Sequence, residues 1–230
     1  KGRGNTDLII RVSDLPSLGN TEIGNGFKSG PGGKGANQAA CLSKLGTQTH
    51  LVSRVGKDEF STILLENIKK YGVKLDNIVI DERYRGGVVF IIVDKTGNNT
   101  MIADFGSNLF LNEEDIEKAT DIFEDSNLVL LQFEVNEKAN KKAIEIAVKS
   151  NIPVILNPAP MREFDLALLE NIDVITPNLF ELQQMLSYVE NAPCLASEEK
   201  DLDKIIRSAK KLIGCGVKNV LVTLGKSGSV

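Results

Sequence analysis

The sequence predicts an α/β fold: a mostly parallel sheet with helices on both faces and a small accessory sheet. Three observations carry that prediction. From residue 127 onward, short and continuously apolar runs alternate with stretches of helical period. Strands that read as unbroken apolar runs are buried on both faces, and regular alternation with helices makes them parallel. Two other regions, 8–28 and 86–105, read as strands with no helix between them. Finally, a glycine cluster, Gly30-Pro31-Gly32-Gly33-Lys34-Gly35-Ala36-Asn37, runs straight into a helical pattern.

The elements follow in order. Residues 8–28 give two short strands around Pro16 and Gly19. Ala36, Ala39, Ala40 and Leu42 share a helical period, predicting a helix over 36–45 that Gly46 ends. A strand at 51–55 precedes a helix near 58–71 that stops at Gly72. Residues 86–105 form a hairpin turning at Lys95-Thr96-Gly97-Asn98-Asn99. With 8–28 it makes a small accessory sheet, which reads either as a lid that excludes water or as an edge extension of the main sheet. Apolar runs at 128–133, 154–156, 174–176 and 220–224 are then separated by helices at 137–149, near 164–170, from 178, and at 201–213. An irregular loop is expected around 189–199. Val220–Leu224 reads as a core strand and the residues after it as a turn opening a hairpin, so the expectation is a piece of a longer protein.

Composition narrows the function. Of 230 residues, 42% are hydrophobic and 25% charged, the ordinary range for a globular domain. The net charge of -4 argues against nucleic acid or an anionic membrane as the main partner. The longest apolar runs, such as Val88–Val93, are too short to span a bilayer. Cys41, Cys194 and Cys215 are few and odd in number, with no Cys-x-x-Cys pair. They predict neither a disulfide framework nor a zinc site, and they fit a reducing cytoplasm. His50 is the only histidine and sits at the edge of an apolar strand, so it is given no role.

Glycines at a helix start suit a ligand rich in oxygen, because the backbone can approach closely and the first N–H groups are free. Gly30-x-Gly32-x-x-Gly35 matches the dinucleotide fingerprint as a string. The second strand, however, ends Arg54-Val55-Gly56 and lacks the carboxylate that fingerprint needs. The nucleoside-triphosphate loop needs an earlier glycine, and Lys28 or Val220 stands there instead.

A wider set of motifs is specific. Gly32-Gly33-Lys34-Gly35-Ala36-Asn37-Gln38-Ala39-Ala40, closing at Leu45-Gly46, resembles the first signature of the ribokinase family of carbohydrate kinases. Asn5-Thr6-Asp7, Gln132-Phe133-Glu134, Leu156-Asn157-Pro158-Ala159-Pro160, Thr176-Pro177-Asn178-x-x-Glu181 and Thr223-Leu224-Gly225-x-x-Gly228 resemble further motifs of that family, in its order and across the chain.

The resemblance implies a three-layer ribokinase-like fold with a small β-sheet lid, here as one incomplete domain over 1–230, its lid strands near 8–28 and 86–105. It implies transfer of the γ-phosphate of ATP to the 5-hydroxyl of D-ribose with magnesium, potassium in the full-length protein, and a homodimer formed through the lid. Asn5, Thr6, Asp7, Gly33, Lys34, Gly35, Ala36, Asn37 and Glu134 would bind the sugar. Asn178, Thr223, Leu224, Gly225, Lys226, Ser227 and Gly228 would bind ATP, and Glu181 its metal. From the residues alone, Asp7 reads as a solvated turn residue and Asn37 as a polar group of a helix start. Asn178 with Glu181 reads as a capping box.

The family's Asp-x-x-Gly-Ala-Gly-Asp stretch, which supplies its general base, is absent. No catalytic residue is therefore assigned, and the 230 residues alone are expected to be inactive. Two alternatives stand beside ribose: a kinase for another sugar or a nucleoside, and a non-catalytic sugar-binding or interaction module.

Overall fold

The structure is a computed structural model that describes residues 2–190 and 201–230. It comprises two compact units, Lys1–Leu111 and Asn112–Val230. Residues 191–199 of the expected irregular loop lie outside the described residues, as does Cys194.

The first unit is organised by a four-stranded sheet of order β2-β1-β5-β6. Strand β1 (Asn5–Arg11) pairs antiparallel with β2 (Asn25–Gly32) and parallel with β5 (Gly87–Val93). Strand β6 (Asn99–Asp104) closes the hairpin from β5. Asp94 stabilises that turn by accepting from the N–H groups of Thr96 and Asn98. The glycine cluster is mostly not a loop. Gly30, Pro31 and Gly32 continue β2 and face Asp7, Thr6 and Asn5, leaving Gly33 as the turn. Its φ of 90° is one that a side chain rarely tolerates.

Helix α1 (Lys34–Lys44) follows at once and ends before Gly46, whose φ is +88°. Strand β3 (Ser53–Gly56) and helix α2 (Glu59–Lys70) come next, with Asp58 capping α2 through Ser61 N–H. Strand β4 (Ile78–Asp81), which sequence periodicity did not reveal, pairs parallel with β3. Ala36, Ala39, Leu51, Val55, Leu64, Ile68 and Val73 form the buried cluster between these elements.

The second unit opens with two short helices, α3 (Glu113–Glu117) and α4 (Thr120–Glu124), that the sequence reading lacked. It then follows the expected alternation: β7 (Val129–Gln132), α5 (Glu137–Lys149), β8 (Val154–Asn157), β9 (Val174–Ile175), α6 (Leu179–Glu190), α7 (Leu202–Gly214) and β10 (Asn219–Val220). The sheet is wholly parallel, in the order β10-β9-β8-β7. Leu131, Leu156 and Ile175 from its strands are fully buried, as are Ala143 and Ala147 of α5 and Leu182 and Met185 of α6.

Three expectations are corrected. The two strands read within 8–28 are Asn5–Arg11 and Asn25–Gly32, and residues 12–24, with Pro16 and Gly19, belong to neither. The helix near 164–170 is a short 3₁₀ turn, Leu166–Asn171. The strand at 220–224 is only Asn219–Val220. Asn219 and Val220 pair with Val174 and Ile175, and Thr223 bridges Asn178 in the same register. Pro177 falls between and has no N–H to give, so the ladder breaks there.

Candidate active site

Strand β1 places Asn5 and Asp7 on one face of the first sheet, because alternate residues share a face. Their lateral neighbours on that face are mostly glycine: Gly32 and Gly87 flank Asn5, and Gly30 and Val89 flank Asp7. The Asp7 carboxylate fills the space that a Cβ at Gly32 would occupy. It is half-buried, and burial pushes its pKa above the ordinary carboxylate value, partly offset by the charge of Arg3. Arg3 is itself buried, with its guanidinium 3.9 Å above the Phe105 ring. Thr6 points to the opposite face, where its hydroxyl donates to Phe60 O at 2.7 Å. It therefore anchors the strand to α2, away from the face that carries Asp7.

The start of α1 lies against the segment before β1. Ala36 N–H donates to Arg3 O at 3.0 Å, and Asn37 N–H donates to Gly33 O at 2.9 Å. A Cβ at Gly33 would stand 2.5 Å from Arg3 O, and one at Gly35 would overlap Gly2. Both glycines are thus required for the helix to sit this close. Lys34 and Asn37 are exposed on the first turn, which holds no acidic residue to offset the positive end of the helix. A carboxylate, an amide, an ammonium group and a helix start are the donor and acceptor types that a polyhydroxylated ligand needs.

Within the second unit, Glu134 is buried in the turn that follows β7. The C-terminal ends of strands in such sheets are where ligands collect. At the end of β9, Asn178 and Glu181 cap α6 reciprocally. Glu181 N–H donates to Asn178 Oδ1 at 2.8 Å, and Asn178 N–H donates to Glu181 Oε2 at 2.9 Å. The capping reading of this pair is therefore realised.

The structure also brings the 223–228 turn to Asn178. Thr223 bridges Asn178, and its N–H donates to Pro177 O at 2.9 Å. Gly225–Ser227 form a 3₁₀ turn closed by Leu224 N–H donating to Gly228 O at 2.8 Å. Gly225 and Gly228 take φ of +59° and +85°. Lys226 and Ser227 are exposed on that turn. Among the described residues, no three His, Cys, Asp or Glu side chains cluster to hold a metal.

Two contributors escaped the sequence reading. Asn108 is buried and donates to Gly4 O at 3.1 Å. Gly87 leaves the room in which the Asn5 and Asn108 carboxamides meet. The Gly86-Gly87 pair opening a strand was a visible signal; nothing local marked Asn108.

Comparison with known proteins identifies the family and the fold. The chain is 32% identical to a deoxyribokinase of Salmonella typhimurium over 230 residues, covering 100% of this chain and 72% of that one. It is 33% identical to a ribokinase of Schizosaccharomyces pombe, covering 99% and 72%. Among solved structures, Arabidopsis thaliana ribokinase complexed with ribose and ATP superposes with a TM-score of 0.87 at 31% identity, covering 99% of this chain and 72% of that one. Thermotoga maritima ribokinase gives 0.86 at 31% identity, covering 99% and 71%. The fold is therefore the ribokinase-like α/β fold. The model of pfkB family carbohydrate kinases matches residues 2–230. With glycine turn, Asn-x-Asp strand and capped Asn-x-x-Glu helix all in place, the chain belongs to the pfkB family of carbohydrate kinases.

Proposed function

We propose that this chain carries the sugar- and nucleotide-binding residues of an ATP-dependent kinase for the 5-hydroxyl of D-ribose. The observation that carries the reading is the Asp7 carboxylate, half-buried between Gly30 and Val89 and laid over Gly32, where the missing side chain leaves it room. A carboxylate so placed accepts from two neighbouring sugar hydroxyls, and such charge-assisted bonds are about twice as strong as neutral ones. Asn5, Gly33, Lys34, Gly35, Ala36 and Asn37 complete the sugar set, and the family resemblance adds Glu134. Asn178 and the 223–228 turn are assigned to ATP. The ribose and ATP held by the Arabidopsis relative support both assignments.

Magnesium that travels with ATP needs only one or two protein carboxylates, so the lack of a dedicated cage among the described residues does not conflict with it. Glu181 is the residue that would face it: one carboxylate oxygen caps α6, and the other can meet the metal directly or through water. The ion would supply charge neutralisation on the phosphates.

Deoxyribose is the second reading, favoured by deoxyribokinases of the same similarity as the ribokinases. The 230 residues contain no Asp-x-x-Gly-Ala-Gly-Asp stretch. We therefore infer that by themselves they bind sugar without turning it over. Strand alternation also leaves Leu8, Phe90 and Ile102 on the face opposite Asp7, with Phe90 and Ile102 exposed. A partner subunit covering that apolar face gives the lid-mediated dimer. Sparse, free cysteines among the described residues fit a cytoplasmic location.

The deciding experiment is titration calorimetry of the chain with ribose, deoxyribose, fructose and adenosine, beside a coupled ATPase assay. Ribose binding without turnover is expected. Preference for another compound overturns the ribose assignment, and turnover overturns the inactivity.

A further inference from the structure

We propose that Asn108 is a positioning residue that decides which end of the Asn5 carboxamide is offered to the sugar; this rests on the sugar-site reading above. Asn108 lies in the 3₁₀ turn Gly106–Phe110 and is fully buried. Its Nδ2 donates to Gly4 O at 3.1 Å and to Phe105 O at 3.0 Å. Backbone carbonyls accept only, so the nitrogen of Asn108 must face them.

That choice propagates to Asn5. Asn108 Nδ2 also lies 3.4 Å from Asn5 Oδ1. Turning Asn5 over would set an NH₂ group against an NH₂ group, donor against donor. Asn5 therefore turns its oxygen toward Asn108, whose two amide hydrogens are shared among three oxygens, and its NH₂ away. Asn5 Nδ2 is closed to solvent and has no hydrogen-bond partner in the structure. It is a donor held in place with nothing to donate to, on the same face as Asp7 and two residues from it. Asn5 then complements Asp7: one fixed donor beside one fixed acceptor, the pair that adjacent hydroxyls require.

Gly87 is the second, independent sign that the contact is built. A Cβ there would stand 2.5 Å from Asn108 Nδ2 and would also overlap Asn5 Oδ1. Any side chain at position 87 would wedge the two carboxamides apart. Asn108 acts through Asn5 and is not itself assigned a contact with sugar.

Three substitutions in the 230-residue chain test this, with ribose affinity by calorimetry and folding by thermal denaturation. Asn108→Asp places a second acceptor against three oxygens and lets Asn5 turn over. Gly87→Ala parts the pair without changing a polar group. Asn5→Asp keeps the acceptor toward Asn108 but removes the turned-away donor. Each is expected to weaken ribose binding at least ten-fold, with Asn5→Asp remaining folded. Neutron diffraction on deuterated crystals gives a readout that needs no sugar: deuterium is expected on the Asn5 atom turned away from Asn108.

Ribose binding within two-fold of the parent in Asn108→Asp and Gly87→Ala, while Asp7→Ala abolishes it, overturns the positioning role and leaves the sugar site standing. Unchanged binding in Asp7→Ala overturns the site itself. Loss of folding in both Asn108→Asp and Gly87→Ala assigns the pair to stability alone and overturns the proposal. Deuterium facing Asn108 does the same.

Discussion

The carboxylate of Asp7 occupies the space that a side chain at Gly32 would need, on the neighbouring strand and the same face of the sheet. Gly32→Ala should therefore displace Asp7 while leaving the backbone of β2 unstrained, since Gly32 lies within a regular strand. Ribose affinity is expected to fall at least ten-fold, with only a small change in melting temperature. Calorimetry on the folded variant checks it, and unchanged affinity would remove Asp7 from the sugar site.

Burial raises the Asp7 pKa, so protonation begins at a higher pH than for an ordinary carboxyl. In the proposed site, the ionised form is the acceptor for the sugar hydroxyls. Affinity should fall on acidification, starting above the usual carboxylate range. The folding linkage has the opposite sense. A raised folded-state pKa means the native state holds the proton longer, so stability declines as pH rises from the unfolded value toward the folded one. Asp7→Asn should abolish the pH dependence of binding and slightly raise the melting temperature at pH 7. A melting temperature that falls would contradict the desolvation argument.

The reciprocal cap at Asn178 and Glu181 separates stability from metal binding. Glu181→Gln keeps an oxygen for Asn178 N–H and should cost less than about 0.5 kcal/mol, the range of a change that leaves the cap intact. Glu181→Ala loses that acceptor and should cost about 1 kcal/mol, as should Asn178→Ala. Both Glu181 variants should weaken magnesium-dependent nucleotide binding. Urea unfolding, together with nucleotide titration with and without magnesium, distinguishes the two effects. Equal nucleotide affinity in Glu181→Gln would confine Glu181 to capping.

Arg54 and Asp81 form a buried ion pair at 2.6 Å between β3 and β4. Asp81 also accepts from the exposed Arg83. The hydrogen bonds from Arg83 and then Arg54 hold the Asp81 carboxyl well below the ordinary range. Its contribution to stability is thus fully present above the unfolded value of 3.8 and is lost as pH falls toward the folded value. Arg54→Ala leaves a buried carboxylate short of its buried partner and should cost about 3 kcal/mol. Arg83→Ala removes an exposed partner and should cost at most about 1 kcal/mol. Denaturant melts at pH 3 and pH 7 test both the ranking and the sign.

Phe90 and Ile102 are cross-strand neighbours, both exposed, on the face away from Asp7. Ile102→Glu should shift a dimer to monomer in sedimentation velocity at micromolar concentration. A parent chain that is already monomeric there would overturn the lid-mediated dimer.

Local pattern was most legible where one element repeats one period. Helix α5 occupies the span its alanines and isoleucines indicate, Glu137–Lys149. Gly46 and Gly72 mark helix ends because positive φ is local information. Strand β4 was illegible because four residues carry no period, and only its parallel pairing with β3 makes it a strand. The shortened β10 follows from Pro177 on the facing chain, which no reading of 220–224 could contain.

By itself, the sequence determined the order of elements, the α/β class and the residue types available to the site, because periods, glycines and caps act over a few positions. Only the tertiary structure decided how those groups stand. It turned Gly30–Gly32 from a loop into a strand against Asn5–Asp7, and it laid the Asp7 carboxylate over a glycine. It also brought Asn108 to Asn5 across 103 positions. Contacts at that separation depend on which strands pair and on where a missing Cβ leaves room, and neither is written in any local window.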